Sequence, residues 1–447
     1  MVGAGPGGYV AAIRAAQLGL RTAVVERAEL GGRCLNEACI PAKAMLKVAQ
    51  VLSQVEAAER FGLTVEGVRF DFGAATEHRG NVVATLTRGV GGLLRKNQIT
   101  VVAGEARLTE TGVAVAGGDE LTAPRTILAS GSVPTPLASA PFSDRVLDTA
   151  VTWRLSEQPR RLAVAGAGAS GVEVASAFAR LGTEVTLLEL QDRILPAEDE
   201  DCARLVARAL QDQGAEIRTG VSLTAAEESA SGLALTLSDG GLEVDCLCVA
   251  AGRSPDVESL ALEQAGVHRD GRGLIAVDAR MRTSRTTVWA IGDLVHGPAL
   301  AHKASDEGLI AAEDAAGLEA KPLDYDFIPA VTFCAPQIAR VGLTEAEARQ
   351  RGRQIVVGSV PTTSVGAPVV HGEGPGLVKL IGDAESGELL GGHVVSSNAA
   401  ELIAEIKAAR QFEAGLADIA RSTHAHPTFS EAIQEAARAA EGWLVHG

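Results

Sequence analysis

At 447 residues the chain is about three average domains long, and an apolar fraction of 46% excludes disorder as its general state. Lys plus Arg number 40 against 56 Asp plus Glu, a formal charge of -16 that repels phosphate backbones and anionic lipid, so nucleic acid and membrane surfaces are excluded as partners. Aromatics are only 3%, so the cores must be aliphatic, while 50 clustered glycines exceed the usual ~7% and point to tight turns against ligands.

The chain opens on Gly3-Ala-Gly5-Pro-Gly-Gly8, then a helical stretch to about Gly19, a short apolar run and an acid, Glu26. In such a G-x-G-x-x-G turn the first glycine permits the tight strand-to-helix turn. The second lets backbone approach a pyrophosphate at the helix N-terminus, the third lets helix and strand pack closely, and the acid accepts hydrogen bonds from a ribose. Only Met1 and Val2 stand where a strand of about five residues is expected. A shortened N-terminus and a gap in the middle of the first parallel sheet are therefore expected.

Next comes Gly31-Gly-Arg-Cys34-Leu-Asn-Glu-Ala-Cys39-Ile-Pro-Ala-Lys43. Five residues of regular helix rise about 7.5 Å, beyond the ~7 Å limit for disulfide-linked Cα atoms. A bond between these cysteines requires a distorted first helical turn. Exposure and the positive end of a helix dipole then favour a redox-active bond over an inert one. A glycine turn at Gly131 closes this segment.

The fingerprint then recurs as Gly166-Ala-Gly168-Ala-Ser-Gly171, this time with a full first strand and a terminal acid, Glu189. Gly3 to Gly166, Gly5 to Gly168, Gly8 to Gly171 and Glu26 to Glu189 are each 163 positions apart. One such pattern is weak evidence; two with identical spacing to a strand-terminal acid indicate two nucleotide-binding domains. Gly252 closes the second copy as Gly131 closes the first. The apolar strand ending in Gly292-Asp293 suits the presentation of a carboxylate to a hydroxylated ligand.

Near the C-terminus, His424-Ala-His426-Pro427-Thr-Phe-Ser-Glu431 begins a helix that Ser430 or Thr428 can cap. Thiol–disulfide chemistry needs a proton acceptor tuned near neutrality, which is histidine's property, and a carboxylate to orient the ring. Histidine before proline is open to a fixed cis geometry. His78, His268, His371, His393 and His446 read as surface or structural. Cys246 and Cys248 read as core, and no zinc-ligand spacing occurs. Six cysteines in so long a chain do not make a disulfide framework. With no membrane span and no signal core, a cytoplasmic, reducing compartment is expected.

These motifs, from Gly3 to Glu431, resemble the flavin-dependent pyridine-nucleotide disulfide oxidoreductases, and within them the lipoamide-dehydrogenase branch. That family's redox motif runs G-G-T-C-L-N-x-G-C-I-P-S-K, and this chain departs from it at Arg33, Ala38 and Ala42. The stretch Leu300-Ala301-His302-Lys303 through Glu307-Gly308 is similar to the lipoamide version, as is His426-Pro-Thr-x-Ser-Glu431. Phe333-Cys334-Ala-Pro336-Gln337 departs from Tyr-Thr-x-Pro-Glu.

The resemblance implies an α/β fold with two Rossmann-like dinucleotide-binding domains plus a C-terminal α+β dimerisation domain. The implied division is 1–138 (FAD), 139–260 (NAD), 261–325 (a segment returning to the first domain) and 326–447 (interface). It implies cofactor contacts from Gly3, Gly5, Gly8, Glu26, Lys43, Gly131, Asp293 and Ala301 for FAD, with Lys43 paired to Glu173. Gly166, Gly168, Gly171, Glu189 and Gly252 fall to the nicotinamide cofactor. Glu189 repels a 2′-phosphate and no arginine sits immediately beside it, so NAD is expected rather than NADP. The implied activity is NAD-linked oxidation of dihydrolipoamide through Cys34 and Cys39, with His426 as base and Glu431 as its partner, both reaching the site from the second subunit of a homodimer. The implied partner is the lipoyl domain of a 2-oxoacid dehydrogenase or glycine cleavage complex. Another disulfide or mercuric reductase, or a flavin protein without turnover, is the alternative; the C-terminal vicinal cysteines of mercuric reductases are absent.

Overall fold

The computed structural model describes residues 1–118, 120–229 and 232–447. The first sheet answers the question of the short N-terminus. Ala23–Glu26 pairs in parallel with Thr100–Ala103, and Thr126–Leu128 pairs in parallel with the returning strand Val288–Ala290. Val2 joins the two pairs through parallel bridges to Val25 and Leu128. Its N–H donates to Ile127 at 2.9 Å and its carbonyl accepts from Ala129 at 2.8 Å, while Val25 donates to Met1 at 2.8 Å. The expected gap is absent because extended backbone offers donors and acceptors to both sides, so even two residues knit their neighbours together.

The second unit repeats the plan with a full strand in the middle. Its parallel sheet runs in the order Glu216–Arg218, Glu184–Leu188, Arg161–Ala165, Cys246–Val249 and Val146–Asp148. The inner strands are largely apolar and buried, as a parallel sheet covered on both faces requires, while the edge strand Glu216–Arg218 carries charges. Ser132–Pro134 and Arg253–Pro255 pair antiparallel and tie the two units together.

The C-terminal part is an antiparallel sheet ordered Ala330–Thr332, Gln337–Gly342, Leu389–Ser396, Leu377–Asp383 and Ile355–Pro361. Helices Ala399–Gln411, Leu416–Arg421 and Glu431–Ala440 accompany it. Its core gathers Val341, Val378, Leu380, Ile403, Ile406 and Ile433.

The glycine surplus serves close packing as well as turns. Helices Pro6–Gln17 and Ala301–Ala315 approach so closely that a Cβ on Gly7 would lie 2.8 Å from the Ala304 carbonyl oxygen, and one on Gly308 2.6 Å from that of Gly7. The four cysteines outside the pair are buried, and burial pushes the Cys248 thiol up to about 12, so they behave as small apolar groups. Among the described residues no helix is long and apolar enough to cross a membrane, and no metal-ligating cluster gathers.

Candidate active site

The two glycine turns are built alike. Gly3 and Gly166 take positive φ of 97° and 102°. A Cβ on Gly8 would lie 2.0 Å from the Gly3 carbonyl oxygen and one on Gly171 1.8 Å from that of Gly166, whereas Gly5 and Gly168 face open space. Helices Pro6–Gln17 and Ala169–Arg180 start without a side-chain cap, so their first-turn amides and positive dipole end point at whatever anion enters.

The acids repeat to the same detail. Glu26 accepts the Ala4 and Ala28 amides at 2.7 and 2.9 Å; Glu189 accepts those of Ala167 and Gln191 at 2.7 and 2.9 Å. Each carboxylate is thereby locked in place, with lone pairs left over for ribose hydroxyls. Arg193, the nearest arginine after Glu189 in sequence, spends its guanidinium on the carbonyls of Leu195, Pro196 and Glu198. That guanidinium is therefore engaged within its own loop rather than free for a 2′-phosphate.

A cavity of about 380 Å³ runs from the first turn to the cysteines, lined by Gly5, Glu26, Cys34, Cys39, Asp293 and Ala301 among others. Gly3 and Gly131 also border it; Gly8 packs behind its wall. The cysteines are disulfide-bonded, with Cα atoms 4.8 Å apart. The chain reaches this spacing by a break between two helices rather than by a distorted turn within one. Helix Gly32–Asn36 ends at Glu37, and Ala38 (φ −127°) caps a new helix, Cys39–Glu56. Because φ at residue 38 is negative, alanine fits where the resembled motif has glycine.

One turn beyond Cys39 on that helix, Lys43 Nζ donates to both Glu173 oxygens at 2.9 Å. Phe333 secures the pair: its N–H donates to Glu173 at 2.9 Å, and its ring lies 4.5 Å from the Lys43 ammonium. Phe333 stood out in the sequence only as a departure from the resembled motif, and its contact to Glu173 was not foreseen, since a backbone donor leaves no mark in a pattern.

A second unforeseen group orders Asp293. The Gly292 N–H donates to Glu307 at 2.7 Å, its carbonyl accepts from Lys303 at 2.8 Å, and Tyr325 donates to Glu307 at 2.5 Å. Lys303 and Glu307 are fully buried and paired at 3.1 Å, and burial pushes the Glu307 carboxyl up despite the lysine. Asp293 itself accepts from Ser132 Oγ at 2.5 Å. The i,i+4 spacing of Lys303 and Glu307 was the available signal, but it reads as an ordinary surface pair.

His426 Nδ1 and Glu431 are 2.9 Å apart, and His426-Pro427 is cis. Ser430 is the N-cap residue but makes no side-chain cap; instead the Glu431 carboxylate reaches back to the Thr428 N–H at 2.8 Å. The same carboxylate thus holds ring and loop, and these contacts keep it below its ordinary range despite the opposing burial. His426 is 77% exposed, so its other nitrogen faces outward. His424 is buried, with both ring nitrogens engaged by Ser422 and Glu405. No histidine lines the cavity: within one chain His426 and Glu431 stand apart from the cysteines. Gly166, Gly168, Gly171, Glu189 and Gly252 likewise lie outside it, in the second unit.

Residues 1–308 match the family described as pyridine nucleotide-disulphide oxidoreductase, and residues 328–437 match its dimerisation domain. The chain belongs to that family. The match to a dimerisation domain supports a homodimer, and membership carries FAD and NAD as cofactors. Both acid-ended glycine turns suit such dinucleotides. Over its whole length the chain is 44% identical to a dihydrolipoyl dehydrogenase of Thermus scotoductus, covering 98% of that protein. It is 41% and 40% identical to those of Geobacillus stearothermophilus and Bacillus subtilis, covering 96% and 97% of them. Among solved structures it is similar to LpdA of Mycobacterium tuberculosis (TM-score 0.92, 25% identity, 98% of each chain covered). It is also similar to the HOCl-induced flavoprotein disulfide reductase RclA of Escherichia coli (TM-score 0.88, 27% identity, 98% of each chain).

Proposed function

We propose that the protein is a dihydrolipoyl dehydrogenase, oxidising dihydrolipoamide to lipoamide with NAD as electron acceptor. The observation that carries this reading is the Cys34–Cys39 disulfide opening on the same cavity as the first glycine turn. It is supported by the full-length relatives named for this activity. The dihydrolipoamide is the arm of a lipoyl domain from a 2-oxoacid dehydrogenase or glycine cleavage complex.

His426 and Glu431 come from the second copy of the chain, since a single copy leaves them outside the cavity. His426 takes the proton of one substrate thiol, and Glu431 steadies the ring as it becomes cationic. The thiolate attacks Cys34 Sγ, the Cys34–Cys39 bond breaks, and its electron pair leaves on Cys39. Cys39 suits that role as the first residue of an 18-residue helix, whose positive end stabilises a thiolate. The second substrate thiol then attacks the substrate sulfur bonded to Cys34 and gives its proton to Cys34 as it departs. Lipoamide is released, with the two protons on His426 and Cys34 and the two electrons in the reduced pair. When bound, FAD would supply the hydride chemistry that no side chain can. Gly5 and Glu26 would hold its diphosphate and ribose, with Lys43, paired to Glu173, beside the flavin ring. Gly168 and Glu189 would do the same for NAD.

The test is flavin absorbance per chain in the purified protein, followed by NADH formation from dihydrolipoamide. A comparison with glutathione disulfide, using both NADH and NADPH as donors, accompanies it. A folded but colourless protein, or turnover confined to glutathione disulfide and NADPH, contradicts the proposal.

A further inference from the structure

Arg33 stands immediately before the first redox cysteine, where the resembled motif carries threonine. Its half-buried side chain forms part of the cavity wall. Among the described residues its one hydrogen bond is to a neutral group, Thr149 Oγ1, at 3.3 Å. Asp293, Glu37 and Asp148 attract it through space without bonding to it, and burial outweighs them, holding the guanidinium below its ordinary value. Arg253 borders the same cavity and donates to Ser132 Oγ at 2.8 Å. Burial, with Arg33 as the next contributor, lowers it to about 10. Of the four arginines in the cavity wall, Arg27 and Arg154 face carboxylates of Asp256 and Glu37, whereas Arg33 and Arg253 repel each other and are desolvated without a bonded carboxylate, an arrangement that an incoming anion relieves.

The position of Arg33 says which anion. The backbone just before it packs on the first glycine turn, so that a Cβ on Gly32 would lie 2.7 Å from Gly5 Cα. Gly5, Pro6 and Gly7 line the cavity alongside it, and there the uncapped end of helix Pro6–Gln17 receives a phosphate group. Resting on the reading of this cavity as the FAD site, we propose that Arg33 is a ligand to the FAD diphosphate, adding a charge–charge contact that the neutral threonine hydroxyl cannot make. A planar guanidinium can engage two phosphate oxygens at once. Arg33 therefore strengthens the hold on a dinucleotide through its charged centre rather than through either ring system.

Wild-type, Arg33→Thr and Arg33→Lys proteins are stripped of flavin and titrated with FAD. A parallel competition measures displacement of bound FAD by ADP, which carries a diphosphate and no flavin, so that only ADP in the first site is counted. Arg33→Thr is expected to weaken both by about ten- to a hundredfold, with Arg33→Lys recovering part of the loss and melting temperatures of the stripped proteins unchanged. If Arg33→Thr itself melts early, Arg33→Gln takes its place with the same expectation. Wild-type protein that binds no FAD overturns the cavity reading, and the proposal with it. Wild-type protein that binds FAD, with the neutral variant unchanged in affinity, overturns the role of Arg33 alone.

Discussion

Gly168 and Gly171 lie three residues apart in the second turn, and the structure predicts opposite consequences for the same substitution. At Gly171 an added Cβ would meet the Gly166 carbonyl oxygen at 1.8 Å and its carbon at 3.0 Å. Both are backbone atoms, so helix Ala169–Arg180 must move about 1.6 Å off its strand to bring the 1.8 Å approach out to ordinary contact. Overpacking of this kind costs about 1–3 kcal/mol, or roughly 2–4 °C of melting temperature per kcal/mol in a unit of this size. At Gly168 nothing lies within 4 Å of the added Cβ, so Gly168→Ala leaves stability within about 0.5 kcal/mol. The methyl instead occupies the space through which a diphosphate approaches the helix amides, and NAD binding is lost. Differential scanning calorimetry and NAD titration of the flavin-loaded proteins separate the two effects. Flavin content stays constant in both, because the first turn is untouched. Wild-type NAD affinity in Gly168→Ala, or wild-type melting in Gly171→Ala, refutes the assignment of roles within the turn.

Other outcomes follow from single groups. His426→Gln is expected to lower turnover by about 10²–10⁴ with flavin retained, whereas His424→Gln changes it little; equal losses in a steady-state comparison contradict the choice of base. Burial pushes the Glu198 carboxyl up to about 7, opposed by Arg340, and one of its oxygens has no hydrogen-bond partner among the described residues. A carboxyl raised in the folded state stabilises below its unfolded value and loses that contribution as pH rises towards 7. Between pH 4 and pH 8 wild type should therefore lose on the order of 1–3 kcal/mol relative to Glu198→Gln. Urea unfolding at both pH values checks this, and a pH-independent difference refutes it.

Much of this architecture was legible because its requirements are local. A glycine turn needs particular residues at fixed spacing, so two copies identify themselves, down to the acids Glu26 and Glu189. The Cys34–Cys39 pair was legible for the same reason, though its geometry was not: the helix break at Glu37 and Ala38 is a property of backbone angles that the residue types permit without demanding. The expected gap beside Met1 and Val2 failed because strand pairing is done by backbone, and two residues carry enough of it. The bonds from Gly292 and Tyr325 to Glu307 and the Phe333 contact to Glu173 were hidden because they join separate segments. In sequence, a buried ion pair looks like a solvated one. His426 shows the opposite case, where pattern identified a histidine–carboxylate pair that one chain leaves away from the cysteines.

The most direct test of the account compares wild-type protein with Cys39→Ala in NAD-linked oxidation of dihydrolipoamide, each loaded with FAD. The account predicts NADH formation by wild type and its loss in the variant, with flavin content equal in the two. Full-rate NADH formation by Cys39→Ala would contradict it.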